Sequence, residues 1–155
     1  ETADAAQDIL RAAVVERHKG TGHIGLGFLQ GYGLQSGAVA TSISHDSHNI
    51  IVVGAGEAEC AAAANRVAEL NGGIVVWNDG KPVAEVPLDM GGIMSGEPLE
   101  MVNEQLESAK AAAYALGVNR GIDPFMTLSF MALPVIPTLR LTTRGVFDVG
   151  KQDYV

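Results

Sequence analysis

From Ile24 to Leu34 glycine recurs at nearly every second position, in the run Ile24-Gly25-Leu26-Gly27-Phe28-Leu29-Gln30-Gly31-Tyr32-Gly33-Leu34. Side chains on a strand alternate between faces, so a strand over this run has one smooth glycine face and an opposite face carrying Ile24, Leu26 and Phe28. A smooth face predicts close approach by another backbone or by a ligand. The composition agrees: 19 of 155 residues are glycine, 47% are apolar and only 18% are charged, which describes a globular chain with a tightly packed core rather than a disordered one. This length is one domain's worth of chain, so residues 1–155 are expected to form a single domain.

A net charge of −8 opposes binding to a phosphate backbone or an anionic membrane, leaving small molecules or another protein as partners. Cys60 stands alone, so neither an internal disulfide framework nor a four-cysteine zinc site can form, and a reducing, cytoplasmic setting is expected. No apolar run approaches the roughly 18 residues of a membrane span. The chain opens on Glu1 rather than Met, as expected of a fragment or processed piece.

Periodicity and turn residues predict an α+β fold: a mixed, largely antiparallel sheet with two main helices packed on it. The expected strands are Ile9–His18, Ile24–Leu34, Ala38–Ser44, Asn49–Val53 and a hairpin over Ile74–Leu88, which turns at Asp79-Gly80 and carries Pro82 and Pro87 as marks of an edge. Glu1–Asp8 reads as a helical turn or a frayed tail. The two helices are Glu57–Leu70, with an alanine-lined inner face and glycine after Asn71 for a left-handed cap, and Ser95–Leu116, capped by Ser95 with Pro98 in its first turn. A shorter apolar helix over Phe125–Leu133 follows the Asp123-Pro124 cap, and Leu139–Leu141 and Val146–Val149 read as further extended segments. The run Phe125-Met126-Thr127-Leu128-Ser129-Phe130-Met131 reads as core, with a docking surface or a ring-binding pocket as alternatives.

Gly54-Ala55-Gly56 between a strand and a helix resembles the start of a dinucleotide site. Glu59 stands where the third glycine is needed, however, and Glu57 with Glu59 would face the pyrophosphate, so nucleotide binding is rejected. All four histidines, His18, His23, His45 and His48, fall in the first third of the chain. His45-Asp46-Ser47-His48 places two imidazoles, a carboxylate and a hydroxyl on one corner between strands, able to exchange protons near neutral pH or to ligate a metal. The alternative is a local turn bonded to its own backbone, with the histidines filling polar pockets. The spacing matches neither H-x-H nor H-E-x-x-H, and no G-x-S-x-G surrounds Ser47. Arg17, Lys19, Arg140 and Arg144 read as isolated, solvated surface charges.

Three blocks carry a family resemblance: Val14-Val15-Glu16-Arg17-His18, Ile24-Gly25-Leu26-Gly27-Phe28, and Ala40 through His45-Asp46-Ser47-His48 to Gly54. With Asp123-Pro124-Phe125-Met126-Thr127-Leu128-Ser129-Phe130-Met131-Ala132-Leu133-Pro134-Val135-Ile136-Pro137, they resemble the C-terminal region of bacterial adenine deaminases over nearly the whole chain. The resemblance implies a metal-dependent amidohydrolase that converts adenine and water to hypoxanthine and ammonia, with manganese or iron held in a barrel domain N-terminal to this region. It also implies that the amidohydrolase barrel is this domain's partner, that adenine is the substrate of the assembled enzyme, and that the enzyme is a homo-oligomer. Within this chain His45, Asp46 and His48 are then the expected catalytic contributors and Ser47 a substrate contact; no metal ligand is assigned here. The rivals are a non-catalytic structural or oligomerisation domain and a stand-alone domain binding a small ligand or metal.

Overall fold

The computed structural model describes residues 3–155. Six strands form the main sheet: β1 (Leu10–Val15), β2 (Ile24–Leu29), β3 (Ala38–Thr41), β4 (Ile50–Gly54), β5 (Gly73–Asn78) and β6 (Lys81–Pro87). Their order is β2-β1-β4-β3-β5-β6. Every pairing is antiparallel, so the expected mixed sheet is wholly antiparallel. Three helices complete the main elements, α1 (Glu57–Glu69), α2 (Leu99–Ala115) and α3 (Pro124–Met131). A second, small sheet joins β7 (Leu139–Thr142), β8 (Gly145–Asp148) and β9 (Asp153–Tyr154).

The central strands are apolar on both faces because both faces are covered. On β4, Ile50 and Val52 turn toward α1 and its Cys60, Ala63, Ala64 and Val67, while Ile51 and Val53 turn toward the layer built from α2, α3 and the small sheet. The alanine face lets α1 lie close against β3, β4 and β5. Burial also pushes the Cys60 thiol up to about 12, which keeps it protonated and inert.

The smooth face of β2 has a tenant. Leu141 and Val146 of the small sheet lie over Gly27, and the backbone of Thr142 and Gly145 lies directly over Gly25, where any Cβ would collide with it. β2 is shorter than expected, ending at Leu29, because Gly31 and Gly33 take φ of +92° and +88°. The Asp8 carboxylate holds that turn, accepting from Gly31 N–H at 2.6 Å and Gly33 N–H at 2.7 Å. Tyr32, between them, is buried and donates its hydroxyl to Pro124 O at 3.0 Å.

Other boundaries move for local reasons. β1 begins after a 3₁₀ turn at Ala5–Gln7, capped by Asp4, and stops at Val15; Glu1 and Thr2, the start of the expected turn or tail, lie outside the described residues. α2 starts at Leu99 with Pro98 at its N-cap, while Ser95 Oγ accepts only from Glu97 N–H, at 3.2 Å. The left-handed residue after α1 is Asn71, at φ 60°, ahead of Gly72 and Gly73. The hairpin turn is as expected, with Asp79 at φ 51° and Gly80 at φ 76°, the pattern of a type I′ turn. β6 is indeed an edge strand.

Candidate functional site at the histidine corner

The corner lies where β3 hands over to β4. After Thr41 the chain runs through buried Ser42 and Ser44, reverses at His45–Ser47 and re-enters the sheet at Ile50. His48 N–H donates to Ser44 O at 2.6 Å, and His48 itself takes φ 51°. His45 N–H donates to Ser129 O at 2.8 Å, which fastens the corner to α3. Asn49, buried beside it, donates from Nδ2 to Ser47 Oγ at 3.1 Å.

The turn brings the two imidazoles together, with ring centroids 5.5 Å apart and planes 64° from parallel. His45 also stacks on Phe130 at 5.1 Å and 27°. Phe130 and Met126 are partly exposed on α3, whereas Phe125, Leu128 and Ser129 are buried, so the aromatic and methionine run is both core and rim. Asp46 and Ser47 are exposed. They line a recess of about 190 Å³ together with Asn49, Pro134, Thr142 and Thr143.

His48 Nδ1 is buried with no hydrogen-bond partner. Burial, the neighbouring His45 and the Arg17 cation hold the His48 pKa below its usual 6.5, against a smaller pull from Asp46, so the ring is neutral at pH 7. A neutral imidazole with a free nitrogen can accept a proton. Among the described residues no three His, Cys, Asp or Glu side chains are grouped so as to hold a metal ion. The ligands supplied by this chain therefore do not fit a manganese or iron centre.

Sequence reading missed the braces. Arg17, expected to be a solvated charge, donates from Nε to His48 O at 2.6 Å and from a terminal nitrogen to Gly91 O at 2.6 Å, tying the corner to the loop after β6. His18 Nε2 bonds Ser47 O at 2.7 Å. No local motif marks these contacts; both residues lie about thirty positions from the corner, and only the pairing of Val15 with Ile50 brings them beside it. Arg140 and Arg144 are likewise engaged, Arg140 with the Leu139 and Pro137 carbonyls and Arg144 over the Tyr154 ring at 4.4 Å.

Glu16 shapes the loop that carries His18. Its carboxylate accepts from the His18, Lys19 and Thr21 amides at 2.6, 2.8 and 3.1 Å, and the amide bonds, Thr21's foremost, lower its pKa from 4.5 to about 2. The stabilisation is present above pH 4.5 and is lost as pH falls through about 2. The protection of the His18, Lys19 and Thr21 amides from hydrogen exchange, relative to their intrinsic rates, is expected to fall across that window, and Glu16→Gln to show low protection already at neutral pH.

Residues 1–153 match the family described as the adenine deaminase C-terminal domain. Among curated proteins, the chain is 51% identical over 152 residues to an adenine deaminase of Desulfatibacillum aliphaticivorans, covering 98% of this chain and 26% of that protein. It is likewise 51% identical to one from Brucella anthropi, covering 27% of it, and 47% identical to one from Bacillus subtilis, covering 26%. The chain thus spans about a quarter of the length of these relatives. Similarity of this extent, running through the corner, the glycine strand and α3, places the chain in the adenine deaminase C-terminal domain family.

Proposed function

We propose that this domain completes an adenine deaminase: its corner docks against the catalytic domain, and His45, Asp46 and His48 handle protons at the assembled active site while Ser47 contacts the purine. The observation that carries this reading is the unpartnered, buried Nδ1 of His48 beside a second imidazole stacked on a partly exposed Phe130. Orphaned polar atoms are rare in folded proteins, and this one leaves a neutral imidazole at the corner with unmet hydrogen-bonding capacity. The reaction joins water to C6 of adenine and releases ammonia, so protons must leave the water and reach the departing nitrogen; neutral His48 is suited to the first task and exposed Asp46 to orienting the groups around it. Manganese or iron in the catalytic domain would lower the pKa of the attacking water. Small apolar faces at Met126 and Phe130 suit contact with another protein surface.

The test is an adenine deaminase assay on three preparations: the full-length enzyme, the enzyme lacking this domain, and the 155-residue chain alone. Activity is expected only when catalytic domain and corner are joined. Full activity in a folded, metal-loaded enzyme lacking this domain would establish the rival structural reading, for which the backbone contacts of Arg17 and His18 argue.

A further inference from the structure

Both peptide groups of His48 are held. Its N–H donates to Ser44 O and its carbonyl accepts from Arg17 Nε, each at 2.6 Å, while φ stands at 51°. Left-handed backbone is uncommon for a residue with a Cβ and persists where the surroundings over-determine it. With the backbone fixed on both sides, the direction of the Cα–Cβ bond is fixed too, and with it the side of the corner on which the imidazole stands. The hold from Ser44 is local, since it closes the turn itself. The hold from Arg17 comes from the segment after β1, about thirty residues away.

Arg17 is itself seated by Asn49, Gly91 and Gly92. Its N–H donates to Asn49 Oδ1 at 3.3 Å, and Asn49 in turn donates to Ser47 Oγ within the corner. A terminal guanidinium nitrogen donates to Gly91 O at 2.6 Å. The guanidinium lies against the backbone of Gly92, at φ +78°, where any Cβ would collide with it. Gly92 is anchored in turn: its carbonyl accepts from Ser42 Oγ at 2.6 Å, and the same hydroxyl oxygen, fully buried, accepts from Gly73 N–H at 2.8 Å. Ser42 leads from β3 into the corner, so the clasp closes on the segment it holds. Meeting two carbonyls at once takes a rigid fork of donors, which a guanidinium supplies and an ammonium does not.

Taking His48 as a proton-handling group of the assembled active site, the reading on which this rests, we propose that Arg17 is its positioning residue: the guanidinium fork ties the His48 carbonyl to the Gly91 carbonyl and so aims the imidazole. Arg17 acts through the His48 backbone and through its charge. The titratable and charged groups that face the His48 ring are His45 and Asp46 on its own corner and Arg17 and His18 after β1. Neither α3 nor the loop from Met90 to Gly96 carries a charged side chain. Burial first, then His45 and the Arg17 cation, hold the His48 pKa below 6.5, so removing the cation raises it toward that value.

Arg17→Met and Arg17→Lys in the full-length deaminase, assayed beside His48→Ala, test it. For Arg17→Met, kcat for adenine is expected to fall by about 10- to 100-fold with KM little changed, the mark of a misplaced group rather than a lost substrate contact. The acid limb of its kcat/KM profile is expected to move to higher pH. Arg17→Lys keeps the cation but not the fork, so it is expected to lose kcat while its acid limb stays near that of the wild type. It also keeps the test decisive should Arg17→Met not fold. Arg66→Met removes an arginine bonded to Glu85 between α1 and β6, at 2.6 and 3.2 Å, and is expected to change neither kcat nor the acid limb. With His48→Ala impaired, full kcat in Arg17→Lys, a rise in KM alone, or an equal loss in Arg66→Met overturns the proposal. If His48→Ala keeps full activity, the catalytic reading of the corner has failed and the proposal falls with it.

Discussion

Gly25→Val is expected to lower the unfolding midpoint of the domain by about 6 °C or more, since overpacking against unyielding backbone costs about 3 kcal/mol or more and each kcal/mol moves Tm by about 2–4 °C at this size. A Cβ at Gly25 would overlap the Thr142 carbonyl oxygen and lie 2.7 Å from Gly145 N. Both are backbone atoms at the β7–β8 turn, so no rotamer change makes room. Relief requires lifting the small sheet, which withdraws Leu141 and Val146 from the core. Gly27→Ala is the control: its Cβ would sit 3.2 Å from a Leu141 methyl and 3.3 Å from a Val146 methyl, side-chain ends that can yield. Urea or thermal denaturation of the pair distinguishes the two cases. Equal, small effects would mean that the small sheet does not rest on β2.

His48→Ala in the full-length deaminase is expected to reduce kcat/KM for adenine by about 10²–10⁴-fold, the range of a general acid or base. His45→Ala is expected to act in the same direction, because His45 packs edge-on against His48 and stacks on Phe130. Two further readouts separate proton chemistry from loss of shape. The imidazole of His48 should titrate below its ordinary value of 6.5 in NMR spectra of the wild type. Its replacement should also abolish the acid limb of the kcat/KM profile rather than scale the whole curve. The metal content of both variants should match the wild type, since no metal cage is built from these residues. Changes of less than twofold in kcat/KM for both variants would make the corner a structural turn and this domain a scaffold.

The fold was legible where short-range rules act. The Asp79-Gly80 turn, the alanine face of α1, the Asp123 cap of α3 and the edge position of β6 follow from residue types a few positions apart, and each stands as expected. The boundaries that moved did so where a distant group intervened. β2 ends at Leu29 because Asp8, more than twenty residues earlier, holds the Gly31 and Gly33 amides. The site was legible only in part. His45 to His48 form one corner because they are contiguous, but the reading of Arg17 as a solvated charge failed because its partners, His48 O and Gly91 O, are backbone carbonyls that no side-chain pattern reveals.

By itself the sequence determined the local alphabet of this protein: alternation of glycine with apolar residues makes a strand with one smooth face, and spacing sets helices and turns, because these depend on backbone sterics and periodicities of two and 3.6. Tertiary structure alone decided what lies on the smooth face, which loops brace the histidine corner, and which strand forms the second edge of the main sheet. Those outcomes depend on strand order, and strand order is settled by contacts between residues far apart in the chain, whose identities do not announce one another.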